Sequence, residues 1–151
     1  MYYVVDGSSK GSVDGAGVVF VDNKGKAREL SFTRVNSNSN SLQAESFALE
    51  CVFNLLLESK KTAKDITIYT DNQALYRYIN LGYEAKDDYV KTVVKQAILL
   101  KKYADFKFEL VDETVQSLAK QAHNLSREYM KDQFWNSLSL GVLKNTAFQL
   151  V

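Results

Sequence analysis

Hydrophobic positions come in short runs near the N-terminus and in longer, helically spaced sets after residue 41. Tyr2 to Val5 is an apolar run rich in β-formers, ended by Asp6-Gly7-Ser8-Ser9, and predicts a buried strand. Gly11, Gly15 and Gly17 punctuate the next stretch, and Val18-Val19-Phe20-Val21 predicts a second strand. Asp22-Asn23-Lys24-Gly25 is turn chemistry, because Asn and Gly tolerate positive φ. Ala27 to Val35, with Leu30 and Phe32, predicts the returning strand, so residues 1–35 read as an antiparallel meander.

The polar stretch Asn36 to Ser41 reads as a loop with a helix N-cap at its end, assigned to Ser41. Leu42 to Ser59 carries Leu42, Ala48, Leu49, Val52, Phe53, Leu55 and Leu56 at helical spacing, which predicts a helix. Ile66 to Thr70 predicts a strand ending at Asp71, and Asn72 to Asn80 a short helix with Leu75, Tyr78 and Ile79 inward, closed by Gly82. Asp88 to Tyr103 predicts a helix, Phe106 to Val111 a strand, and Ser117 to Met130 a last helix. A meander followed by β-α-β units gives an α/β fold with one five-stranded mixed sheet flanked by helices. Right-handed crossovers place the fourth and fifth strands parallel to the first. The stretch 132–151, with Phe134, Trp135, Leu138, Leu140, Val142, Leu143, Phe148 and Leu150, reads as an apolar C-terminal extension packed on a domain spanning 1–131.

Composition narrows the chemistry. The chain has 151 residues, one cysteine, one histidine and no proline. That length suits one domain. One Cys excludes an intrachain disulfide and a Cys-rich zinc site, and reads as a small core residue at Cys51. One His excludes sites built from several histidines, so the expectation is that carboxylates carry any catalysis, with His123 at most assisting. The net charge of +1 shows no basic excess. Met1 to Asp6 lacks a basic n-region and a long apolar h-region, and no run approaches the ~18 apolar residues of a membrane span. These features give the expectation of a cytoplasmic protein with no membrane partner. A dinucleotide cofactor is not expected, because no Gly-rich phosphate loop joins a strand to a helix.

Three carboxylates stand out against this background. Asp6 follows the first apolar strand and Asp71 the fourth, so parallel neighbours bring both to one sheet edge, where open α/β sheets place ligands. Each also has a plain reading: Asp before Gly starts turns, and Asp after a strand caps helices. Glu45 shares the stripe of Ala48, Leu49, Val52 and Leu56 that faces the sheet. The helix dipole favours an acid in a first turn, but that account does not need the inward face. A carboxylate there must be paired, hydrated, protonated or metal-bound. Three converging acids raise one another's pKa values, and a divalent cation removes the conflict. Oxygen-only ligands select hard ions such as Mg²⁺ or Mn²⁺.

These residues carry a resemblance. Asp6-Gly7-Ser8-Ser9-Lys10-Gly11 resembles the first motif of the ribonuclease H type 1 family, Gln43-Ala44-Glu45 the second, and Ile68-Tyr69-Thr70-Asp71-Asn72-Gln73 the third. Ala122-His123-Asn124-Leu125 resembles the fourth, with His123 where the family has an acid. The resemblance implies a ribonuclease H-like fold and a metal-dependent endonuclease. Its substrate would be the RNA strand of an RNA–DNA hybrid, cut with two metal ions to leave 5′-phosphate products. It implies Asp6, Glu45, Asp71 and His123 as catalytic metal ligands. Asp6 would bridge both ions, with Glu45 and His123 around one and Asp71 around the other. Gly7, Ser8 and Ser9 match backbone contacts near the RNA. Ser41 stands where the family has a contact Asn, and Gln73 matches a polar minor-groove contact. A monomer is expected.

The chain departs from the family in several places. The loop Asp112 to Gln116 lacks the family's Gly- and His-containing stretch, and Ala119 and Leu42 replace family asparagines. Lys91, Lys95, Lys101 and Lys102 line one helix without the Trp of a full basic protrusion. These departures keep a second reading open: a weakly active or inactive module that binds hybrid or structured nucleic acid.

Overall fold

A computed structural model describes residues 1–59, 65–131 and 146–150. Its sheet is built from β1 (Tyr2–Lys10), β2 (Val13–Val21), β3 (Ala27–Val35), β4 (Thr67–Thr70), β5 (Lys107–Leu110) and β6 (Thr146–Leu150). Its helices are α1 (Ser41–Ser59), α2 (Gln73–Asn80), α3 (Asp88–Ala104) and α4 (Gln116–Ser126), the last followed by a short 3₁₀ turn at Glu128–Met130. The strand order is β5-β4-β1-β2-β3-β6. β1, β2 and β3 form the expected antiparallel meander. β4 runs parallel to β1, and β5 parallel to β4.

The sheet has a sixth strand beyond the five expected, since β6 pairs parallel to β3 from Ser31↔Thr146 to Val35↔Leu150. The other residues of the expected C-terminal extension, 132–145 and 151, lie outside the described residues. A second correction concerns β1 and β2, which run well past their apolar cores. Asp6 to Lys10 continue the ladder against Gly17 to Val13. The ladder satisfies their backbone groups, so polar and glycine residues stay in the strand although no apolar pattern marks them. A third correction is the cap of α1. Asn40, not Ser41, caps it, taking the Gln43 N–H on its side-chain oxygen at 2.9 Å, while Ser41 is the first helical residue.

Helices cover both faces. Phe47, Ala48 and Val52 of α1 meet Tyr3, Val5, Ala16 and Val18 of the sheet, and the same core takes in Leu75, Ile79, Val90, Val93, Ala97 and Cys51. On the other face Val115 and Ala122 pack on Val4 and Val19. Strand alternation explains the split: odd residues of β1 face α1, and even ones face α4. No helix among the described residues is long and apolar enough to cross a membrane.

Candidate functional site

β4 pairs with β1 only as far as Val4↔Tyr69, so Asp6 lies just past the end of that parallel pairing. Asp71 follows β4 directly, and Glu45 sits early in α1. The three carboxylates come together: one oxygen from each lies within 4.8 Å of the others. Asp6 and Glu45 are buried, and Asp71 is exposed at the rim.

Gly7 lets Glu45 reach this position. A Cβ at Gly7 would stand 2.2 Å from the Ala44 carbonyl oxygen, so only glycine lets α1 settle there. The Gly7 N–H then donates to Glu45 Oε2 at 3.2 Å. That single donor does not offset the surroundings. Burial, then the charges of Asp6 and Asp71, push the Glu45 carboxyl up to about 10. Burial and the Asp6 charge also raise Asp71.

His123 meets the cluster at Asp6, its Nδ1 2.9 Å from Asp6 Oδ2, with its side chain 56 % exposed. The sheet fixes α4 there. A Cβ on Gly17 would stand 1.9 Å from the Ala122 carbonyl oxygen. Ser8 Oγ donates to the Ser126 carbonyl at 2.6 Å, and Ser31 Oγ to the Leu125 carbonyl at 2.7 Å. Both carbonyls belong to the helix end, where intrahelical donors run out.

The expected substrate contacts divide. The Gly7 N–H is engaged by Glu45 and the Ser8 hydroxyl by α4. Ser9 is half-buried, whereas Ser41 and Gln73 are exposed as the first residues of α1 and α2.

A polar network beside the site was not read from the sequence. Arg34 Nε binds Asp14 Oδ2 at 2.7 Å with both side chains buried, and its guanidinium lies over the rings of Phe47 and Tyr89. Asn36 Nδ2 donates to Asp14 Oδ2 and to Gln43 Oε1. Gln43 Nε2 donates to Asp87 Oδ2 at 2.8 Å, and Asp87 caps α3. The start of α1, two residues before Glu45, is thus tied to the sheet and to α3. The signal was the alternation of β2 and β3, which puts Asp14 and Arg34 on the same face as Ala16 and Phe32.

The donor set fits a hard divalent cation. The three grouped carboxylates offer only oxygen, and burial with neighbouring charge favours the protonated form of Glu45, which a cation would let ionise.

The family described as reverse transcriptase-like matches the chain over residues 4–126. No curated protein matches its sequence. Among solved structures, a ribonuclease H1 from the halophilic archaeon Halobacterium salinarum NRC-1 aligns with a TM-score of 0.70 at 21% identity, over 87% of this chain and 97% of that one. The ribonuclease H1 named LC11, isolated from compost and crystallised with an RNA/DNA hybrid, aligns at 0.66 and 19%, over 86% and 99%. The N-terminal ribonuclease H domain of a Mycobacterium tuberculosis protein aligns at 0.67 and 17%, over 87% and 100%. The fold is therefore ribonuclease H-like, as the motifs implied.

Proposed function

The chain belongs to the reverse transcriptase-like family, and on that premise we propose that it is a metal-dependent endonuclease hydrolysing the RNA strand of RNA–DNA hybrids. The observation that carries this reading is the meeting of Asp6, Glu45 and Asp71 within 4.8 Å at the sheet edge. Binding alone does not need three converging acids, one of them held protonated against its ordinary pKa. One of the similar structures is a ribonuclease H1 in complex with an RNA/DNA hybrid, which supports the substrate class.

The roles follow from position. Asp6, Glu45 and Asp71, with His123 beside Asp6, would hold the two Mg²⁺ or Mn²⁺ ions. Bound there, such ions would supply Lewis acidity and activate a water for hydrolysis at phosphorus, with 5′-phosphate products expected. Gly7 holds Glu45 through its N–H, and α1 and α4 exclude water from the inner side of Asp6. Ser9, Ser41 and Gln73 flank the cluster as contacts for the hybrid, with Gly7 and Ser8 shaping the backbone beneath.

One observation favours the second reading, a binding module. His123 Nδ1 already faces Asp6, so the family's fourth acid is replaced by a group that partners a ligand carboxylate. The test is cleavage of a labelled RNA–DNA hybrid in Mg²⁺ and in Mn²⁺, beside duplex DNA and single strands. The nuclease reading expects hybrid-specific cutting that Asp71→Asn abolishes. Hybrid binding without cutting, unchanged in Asp71→Asn, would establish the module instead.

A further inference from the structure

Ser126 ends α4 with a fully buried hydroxyl. Its Oγ stands 3.2 Å from Asp6 Oδ2 and 2.7 Å from the carbonyl oxygen of His123. His123 Nδ1 lies 2.9 Å from the same Oδ2. Two side chains three residues apart share a helix face, and here they converge on one oxygen of one carboxylate. We propose that Ser126 is a positioning residue that, with His123, clasps Oδ2 of Asp6 and so fixes the orientation of this carboxylate toward the metal site. This rests on the metal-dependent reading above.

A hydroxyl has one proton, so Ser126 serves either the His123 carbonyl or Asp6. A hydrogen bond to an ionised carboxylate is the stronger of the two, so a charged Asp6 draws the proton to itself. Asp6 needs such donors, being buried beside two other acids. The clasp also has a fixed base. Ser8 and Ser31 hold the Ser126 and Leu125 carbonyls, and the Gly17 contact sets the height of the helix above the sheet. Ser126 therefore cannot drift from Asp6 without breaking bonds on two strands. The competing account is local: the hydroxyl merely satisfies the His123 carbonyl three residues back. That account predicts no link between Ser126 and metal affinity.

The test measures Mn²⁺ binding to the full chain, without nucleic acid, by the electron paramagnetic resonance signal of free Mn²⁺. Wild type is compared with Ser126→Ala, which deletes the donor, and Ser126→Cys, which keeps the size and donates poorly. Thermal unfolding in chelator runs alongside. The clasp expects Mn²⁺ affinity about tenfold weaker in both variants. It expects variants that still unfold cooperatively as folded proteins, and the Mn²⁺ concentration for half-maximal cleavage raised by the same factor. If Ser126→Ala does not fold, Ser126→Cys alone decides. Wild-type Mn²⁺ affinity in the folded variant overturns the clasp and leaves the metal reading standing. Absence of Mn²⁺ binding in wild type, matched by Asp6→Asn, overturns both.

Discussion

Gly17 lies under Ala122 so closely that a Cβ on the glycine would stand 1.9 Å from the Ala122 carbonyl oxygen. α4 therefore rests on β2 backbone against backbone. Gly17 pairs with Asp6 across the β1–β2 ladder, and His123 follows Ala122, so this one contact holds His123 over Asp6.

Gly17→Ala should lift α4 from the sheet, because the obstructing atom belongs to the backbone and cannot turn aside. The expected cost is about 1–3 kcal/mol, read from the urea midpoint. Hybrid cleavage should fall further than the unfolded fraction explains, because Asp6 loses His123. Full activity per folded molecule would show that the contact does not position the site.

The Glu45 carboxyl rises from 4.5 to about 10 on folding. The folded state therefore holds a proton that the unfolded chain releases. The sign follows: this contribution to stability is complete below pH 4.5 and is lost as pH rises toward about 10. In chelator, wild-type unfolding midpoints should decline across that window. Glu45→Gln should flatten the decline while abolishing metal-dependent cleavage. Parallel pH profiles for the two proteins would rule this out.

Arg34→Ala should destabilise by about 3–5 kcal/mol, since it leaves the fully buried Asp14 without its counter-ion. Arg34→Lys should recover only part. It restores charge, but not the planar group lying 4.2 Å from the Tyr89 ring and 4.8 Å from that of Phe47. The double variant Arg34→Met, Asp14→Asn should lose less than Arg34→Ala alone. Equilibrium denaturation of all three checks the order.

Asp87 behaves oppositely to Glu45. The Val90 N–H, and after it Gln43, hold its carboxyl below the ordinary 3.8. Its contribution is present above that value and is lost as pH falls through the lowered folded value. Asp87→Asn should make the acid limb of stability shallower. An unchanged acid limb would mean that the charge on this cap carries no weight.

The sequence pattern made the frame legible because its signals are local. The Tyr2–Val5 run, the stripe from Leu42 to Leu56 and the turn at Asp22–Gly25 each announce an element within a few residues. Asp6 and Asp71 were legible as companions because a right-handed crossover forces their strands side by side. What escaped depends on partners far along the chain. Gly7 to Lys10 and Val13 to Gly17 look like loop, and become strand only through their mutual ladder. Asp14 and Arg34 look like ordinary surface charges until the β2–β3 register sets them opposite each other. Asn40 and Ser41 are both good caps, and only the bond to Gln43 N–H chooses between them. Ser126 carries no signal until α4 is docked, although its spacing from His123 puts the two on one face. β6 was hidden in an apolar tail without a clear period.

The pairing of β6 with β3 also bears on how separate molecules meet. A sheet grows sideways wherever an outer strand offers free backbone groups. β6 covers that side of β3 and becomes one border of the sheet, and β5 forms the other. β5 is four residues long and carries Lys107 and Glu109 exposed. A strand from another molecule would find a short row of hydrogen-bonding groups there, guarded by charge. That border is thus poorly suited to adding strands from other copies.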